Sequence, residues 1–156
     1  MKIEILQLTD KNSPYLQIIS NWQYICWGKD ERQSFEFVKY FMENSLCVDR
    51  LPQTFIGLID GEIAGYYQLG MYDLTARPDV YPWLMNIYVD EKFRGRGVCS
   101  AFLKKVTEQA KALKIKKLYL YTEHTGLYEK FGWKFLEEVK TFLPQKPYER
   151  LYSIEL

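Results

Sequence analysis

Phe93-Arg94-Gly95-Arg96-Gly97-Val98-Cys99-Ser100 joins two segments whose apolar residues repeat with different periods. Before it, Trp83-Leu84-Met85-Asn86-Ile87-Tyr88-Val89 is a short aliphatic and aromatic run that reads as a strand. After it, Val98, Phe102, Val106, Ala110 and Leu113 recur at helical spacing. That spacing predicts a helix over 98–113 with Lys104, Lys105, Glu108 and Lys111 on its outer face. Two glycines at a strand-to-helix junction let the backbone turn sharply. They bring together N–H groups that, in a helix's first turn, have no partner inside the helix. With the aligned peptide dipoles behind them, such amides form a cradle for an anion, most often a phosphate. Arg94 and Arg96 add fixed positive charge. The plainer alternative is a tight turn carrying two solvated arginines.

Outward from this junction the chain alternates elements. Lys2 to Leu8 alternates as a strand. Ser13 followed by Pro14 is an N-cap and first helical position, opening a helix with Tyr15, Ile18, Ile19, Trp22 and Ile25 inward and Gly28 as its stop. Ser34 opens a second helix with Phe35, Val38, Phe41 and Met42 on one face. Thr54 to Asp60 and Ile63 to Tyr72 read as a hairpin turning at Gly61-Glu62. Beyond the long helix, Lys117 to Thr122 alternates Leu and Tyr as a strand. Thr125 to Phe131 is a short helix closed by Gly132, and Trp133 to Val139 and Tyr148 to Glu155 form a last strand pair. The long helix between the strands at 83–89 and 117–122 predicts a parallel pair. The order as a whole predicts a mixed α/β domain.

A chain of 156 residues is expected to fold as one domain, 1–156. A formal net charge of +1 argues against a protein that coats nucleic acid. Cys26, Cys47 and Cys99 are odd in number and widely spaced, fitting free thiols in a reducing compartment. No apolar run reaches the ~20 residues of a membrane span, and Met1 to Thr9 lacks the apolar core of a signal peptide. A cytoplasmic protein is expected, with no membrane partner. Aromatic residues make up 17% of the chain, enough for some rings to line a pocket.

The glycine turn is not a P-loop, since Gly-x-x-x-x-Gly-Lys-Ser/Thr is absent. It is not a dinucleotide fingerprint, being too short and following four strands. Arg94 to Cys99 resembles the acetyl-CoA signature Arg/Gln-x-x-Gly-x-Gly/Ala of the GCN5-related N-acetyltransferase (GNAT) superfamily, with Arg94 first, Gly97 fourth and Cys99 in the sixth place. The strand end Tyr88-Val89-Asp90, the element order over essentially the whole chain, and Leu127-Tyr128-Glu129-Lys130-Phe131-Gly132-Trp133 are similar to the same family. The resemblance implies a single GNAT-like domain of the α/β (α+β) class. Its sheet would be mixed and mostly antiparallel, with a central, splayed parallel pair and helices on both faces. It implies acetyl-CoA as cosubstrate and no metal. Backbone groups of Ile87 and Val89 would pair with the pantetheine arm. Amides of Arg94, Gly95, Arg96, Gly97, Val98, Cys99 and Ser100 would hold the pyrophosphate, and Tyr128 would sit near the thioester sulfur.

By the same resemblance, an amine attacks the acetyl carbonyl directly in a ternary complex and CoA leaves as a thiolate. Neutralising a lysine-like amine at pH 7 costs about 4.6 kcal/mol, so a base is useful. The family's strand glutamate falls at Trp83 here. Glu123 and Asp73 are the candidates, each equally readable as an exposed carboxylate. The family's asparagine before the tyrosine falls at Tyr121. His124, the lone histidine, reads as a cap or surface residue. Trp27, with Trp22, Tyr24, Phe35 and Tyr40, resembles the variable acceptor wall, and Asp73 is a candidate for drawing in a cation. The expected partner is a small-molecule or peptide amine, not nucleic acid, with a homodimer left open. A non-catalytic acyl-CoA sensor of the same fold is the alternative.

Overall fold

The computed structural model describes residues 2–156. Seven strands, β1 (Ile3–Leu8), β2 (Gln53–Ile59), β3 (Glu62–Gly70), β4 (Trp83–Val89), β5 (Lys117–Thr122), β6 (Lys134–Lys140) and β7 (Tyr148–Glu155), form one sheet in the order β1-β2-β3-β4-β5-β7-β6. Three α-helices, α1 (Pro14–Gln23), α2 (Phe35–Glu43) and α3 (Val98–Ala112), interrupt them. β1 runs antiparallel to β2, and β7 lies antiparallel to both β5 and β6. β4 and β5 are parallel, with one pair in register, Trp83 opposite Tyr119. The mixed α/β class, the mostly antiparallel sheet and the central parallel pair are those the sequence predicts.

The chain divides into two compact units, Met1–Gln68 with Asn86–Phe102, and Leu69–Met85 with Leu103–Leu156. In the first, every residue of β2 is buried, so this strand is covered on both faces. Its apolar cluster joins Leu16 and Ile19 of α1 and Val38 and Met42 of α2 to Ile56, Leu58, Ile63 and Tyr66. Ser13 caps α1, its hydroxyl accepting the Tyr15 N–H at 3.2 Å, and Ser34 caps α2 by accepting the Phe37 N–H at 3.1 Å. In the second unit Trp83, Met85, Leu74 and Val80 pack with Val139 and Leu151. There Arg77 pairs with Asp79 at 2.8 Å and with Glu137 at 2.7 Å.

Several local expectations shift. α1 gives way to a π-helical turn over Tyr24–Gly28, with the Lys29 N–H donating to the Tyr24 carbonyl at 2.9 Å. The wider turn changes the helical phase, and Ile25 is 62% exposed rather than inward. α1 turns Leu16, Ile19, Ser20 and Gln23 to the core. Phe41 lies at the exposed edge of α2's face, which buries Val38 and Met42. The β2–β3 hairpin turns at Asp60-Gly61, with φ of +50° and +81°, the pair of left-handed residues that a two-residue type I′ turn needs. The short helix before Gly132 is a single 3-10 turn, Tyr128–Phe131.

One glycine holds β3 and β4 at close quarters. A Cβ at Gly65 would lie 2.3 Å from the Tyr88 carbonyl oxygen and 3.2 Å from the Val89 Cα. Both are backbone atoms of β4, which no rotamer change can move aside. Gly65→Ala is expected to cost about 3 kcal/mol or more, lowering Tm by about 6–12 °C for a chain of this size. Thermal unfolding checks this, and a Tm within 2 °C of the parent would show that β4 can retreat.

Candidate active site

The glycine turn is built in three steps. β4 ends at Val89, and Asp90 caps a 3-10 turn, Glu91–Phe93, by accepting the Lys92 N–H at 3.0 Å. Phe93 is buried and anchors the turn, leaving Arg94 to Gly97 exposed. Arg94 is extended, and Gly95 and Gly97 take φ of +77° and +80° before α3 begins at Val98. Neither glycine has an atom within 4 Å of where a Cβ would stand, so backbone conformation, not space within the chain, calls for glycine at both. The Phe93 and Arg94 N–H groups are used within the turn, and the Ala101 N–H donates to the Gly97 carbonyl at 3.0 Å. Between them, the N–H groups of Gly95, Arg96, Gly97, Val98, Cys99 and Ser100 find no acceptor among the described residues. Six consecutive free donors at the start of a 15-residue helix form a concentrated site for an anion.

Around the turn, Arg94 is turned back onto β4. Its Nε donates to the Val89 carbonyl at 3.0 Å and its guanidinium lies 5.8 Å from the Tyr88 ring. Arg96 lies over Phe93 at 5.6 Å. Cys99 is half-buried in the first turn of α3, and burial raises its thiol pKa, so it sits there as a small neutral side chain. Tyr88 stacks toward Trp22 at 4.9 Å, and Trp22 toward Tyr66 at 6.2 Å. The buried Tyr66 hydroxyl donates to the Gln23 side chain. Burial raises the Cys26 thiol pKa, and the Arg94 charge opposes the shift. Trp27, on the same π-helical turn as Cys26, is half-buried and packs against the core cluster.

β4 itself carries a feature the sequence did not signal. Asn86, in mid-strand, has φ of +56°. Its side-chain Nδ2 donates to Gln68 Oε1 at 2.7 Å, Gln68 Nε2 donates to Thr54 Oγ1 at 2.9 Å, and Thr54 Oγ1 donates to the Ser45 carbonyl at 2.8 Å. Ile87 and Val89, the two residues expected to meet a ligand through their backbone, follow directly and are half-buried.

The second unit holds Tyr128, Glu123 and Asp73. Tyr128 is buried, edge-on to Trp133 at 6.4 Å and beside Tyr152 at 6.0 Å. The turn that carries it also holds Glu129 and is closed by the Gly132 N–H donating to the Glu129 carbonyl at 3.2 Å. The neighbouring Tyr152 hydroxyl, which donates to the His124 carbonyl at 3.4 Å, is the largest cause holding the Glu129 carboxyl below its ordinary range, with the backbone N–H groups of Gly126 and Glu129 assisting. The Tyr152 hydroxyl in turn accepts from Arg150 Nε at 3.0 Å. Glu123 is exposed and pairs with Lys146 at 3.5 Å. His124 donates its backbone N–H to Thr122 Oγ1 at 3.1 Å, a turn role. Asp73 lies half-buried in the segment after β3.

The model of the acetyltransferase (GNAT) family matches residues 16–133 of this sequence. The chain belongs to that family. Comparison with curated proteins finds no match. Among solved structures, this GNAT chain is similar to a GNAT family acetyltransferase from Elizabethkingia anophelis with acetyl-CoA bound, at 23% identity and a TM-score of 0.70 over 99% of this chain and 98% of that one. It is similar to an aminoglycoside 6'-N-acetyltransferase complexed with coenzyme A, at 14% identity and a TM-score of 0.72 over 99% and 97%. It is also similar to a chain of the NatC complex bound to Gag peptide and CoA, at 15% identity and a TM-score of 0.74 over 100% and 99%. At these identities the structures share the GNAT fold, and each was solved with acetyl-CoA or CoA.

Proposed function

We propose that this GNAT chain is an acetyl-CoA-dependent N-acetyltransferase acting on a primary amine of a small molecule or a peptide. The observation that carries this is the run of six backbone amides, Gly95 to Ser100, with no acceptor among the described residues. A diphosphate satisfies several such donors at once, and Arg96 adds charge beside them. The family match and the neighbours solved with acetyl-CoA or CoA support acetyl-CoA as the donor, and the similarity to an aminoglycoside 6'-N-acetyltransferase and to a complex bound to a peptide supports an amine acceptor. In the reaction the amine nitrogen bonds to the acetyl carbon, the carbon–sulfur bond breaks, and the electron pair leaves on sulfur. Tyr128 is assigned as the proton donor to that sulfur. Glu123 and Asp73 remain the candidates for receiving the amine's proton, and Trp27 for the acceptor wall. The three free cysteines fit a reducing, cytoplasmic setting.

Acetyl-CoA at a hundred times its dissociation constant is expected to add about 2.7 kcal/mol, raising Tm by about 5–10 °C in a thermal-shift assay. An amine panel with a thiol-release readout then finds the acceptor class. Stabilisation without thiol release toward any amine would favour the acyl-CoA sensor. No stabilisation at all would remove both readings.

A further inference from the structure

We infer that Gln68 is a positioning residue for acetyl-CoA, acting through Asn86 to hold the backbone of β4 in the shape that presents Ile87 and Val89. The inference rests on the acetyl-CoA reading above and adds a residue to it. Asn86 takes φ of +56° inside a strand, a region that side chains other than glycine enter at a cost and that asparagine tolerates best when locally hydrogen-bonded. Its hydrogen bond runs to a neighbouring strand. Gln68 and Thr54 are wholly buried at 0% exposure, and the three bonds from Asn86 to the Ser45 carbonyl measure 2.7, 2.9 and 2.8 Å.

The direction of the whole chain is determined by its end. A backbone carbonyl only accepts, so the Thr54 hydroxyl spends its single proton on Ser45 and must accept from Gln68. The Gln68 NH₂ therefore faces Thr54 and its oxygen faces Asn86, which leaves the Asn86 amide one way round. Ser45, just past the C-terminus of α2, thus orients a side chain in β4 through two intermediaries. A buried polar chain satisfied at every step is rigid, and removing one member leaves its neighbours unpaired. What it holds in place here is the one left-handed residue of β4, immediately before Ile87.

The test measures acetyl-CoA affinity by calorimetry and amide hydrogen exchange in the unliganded protein. Gln68→Met keeps the length and apolar body of the side chain and removes its bonds to Asn86 and Thr54, together with the weak one from its Nε2 to Met42 Sδ at 3.6 Å. It is expected to weaken acetyl-CoA binding about tenfold, since small backbone displacements at a site carry large penalties, and to speed exchange at Ile87 and Val89. Glycine at position 86 adopts positive φ unaided. In an Asn86→Gly background the Gln68→Met change is therefore expected to cost less than about threefold, the mark of two residues acting as one unit. A merely structural role would lower Tm equally in both backgrounds and leave affinity alone. Should Gln68→Met not fold, Thr54→Val cuts the chain one step further back, with the same expectation, and Thr54→Ser should restore binding. Unchanged affinity in the folded variant, or an equal loss in both backgrounds, overturns the inference. A parent that binds no acetyl-CoA overturns this inference and the proposed function together; a parent that binds, with an indifferent Gln68→Met, overturns this inference alone.

Discussion

Gly97→Val is expected to weaken acetyl-CoA binding by at least about a hundredfold while the protein stays folded. Gly97 takes φ of +80° at the last position before α3. A β-branched residue there is a steric outlier, and the left-handed conformation costs it about 1–2 kcal/mol. A Cβ at Gly97 would meet no atom within 4 Å, so nothing in the chain is pushed aside. The backbone is free to escape the strain by returning to negative φ. That escape rotates the peptide planes on either side and turns the Gly97 and Val98 N–H groups away from the directions they now take. The penalty falls on the anion, not on the core: hydrogen bonds to charged groups are worth about 1.5–3 kcal/mol each, and losing two suffices for a hundredfold. Calorimetry with acetyl-CoA reads the loss, and circular dichroism with thermal unfolding confirms that the fold persists. A Gly97→Val protein that binds acetyl-CoA like the parent would mean that these amides do not hold the diphosphate.

That turn was legible because everything that makes it is local. Glycines, flanking period changes and a helix start are all encoded within about fifteen residues, and the same is true of the Ser13 and Ser34 caps. What escaped depended on distant partners. Asn86 lies in a run that reads as an ordinary strand; the amide that keeps it left-handed comes from Gln68 on β3, whose own direction is set from Ser45. The π-helical turn at Tyr24–Gly28 swings Ile25 outward, and no periodicity in the first helix announces it. The carboxylates show the same limit. Glu123 looks available at the end of β5, but Lys146 from the β6–β7 connection sits 3.5 Å away. Asp60-Gly61, not Gly61-Glu62, makes the hairpin turn because both of its residues adopt positive φ, a one-residue shift that composition alone leaves undecided.

Tyr128→Phe is expected to lower kcat about a hundredfold and to leave KM for acetyl-CoA within about threefold, the range in which a positioned general acid contributes. The substitution removes one oxygen and keeps the ring. The ring contacts with Trp133 at 6.4 Å and Tyr152 at 6.0 Å are ones that phenylalanine can keep. The 3-10 turn is held independently by its backbone, the Gly132 N–H donating to the Glu129 carbonyl and the Trp133 N–H to the Tyr128 carbonyl, each at 3.2 Å. Tm should accordingly move by no more than a few degrees. On the chemical side, a departing thiolate whose conjugate acid has an ordinary pKa of about 8.5 is a moderate leaving group, and a phenol of pKa about 10 can stabilise it by hydrogen bonding even where full transfer is uphill by about 2 kcal/mol. That stabilisation exists only as the carbon–sulfur bond breaks, so it enters kcat and not ground-state binding. A fall in kcat and kcat/KM together, with KM steady, is the pattern that assigns Tyr128 to the transition state. Equal kcat in the two proteins would leave Tyr128 as a packed ring of the second unit and require another donor to the sulfur.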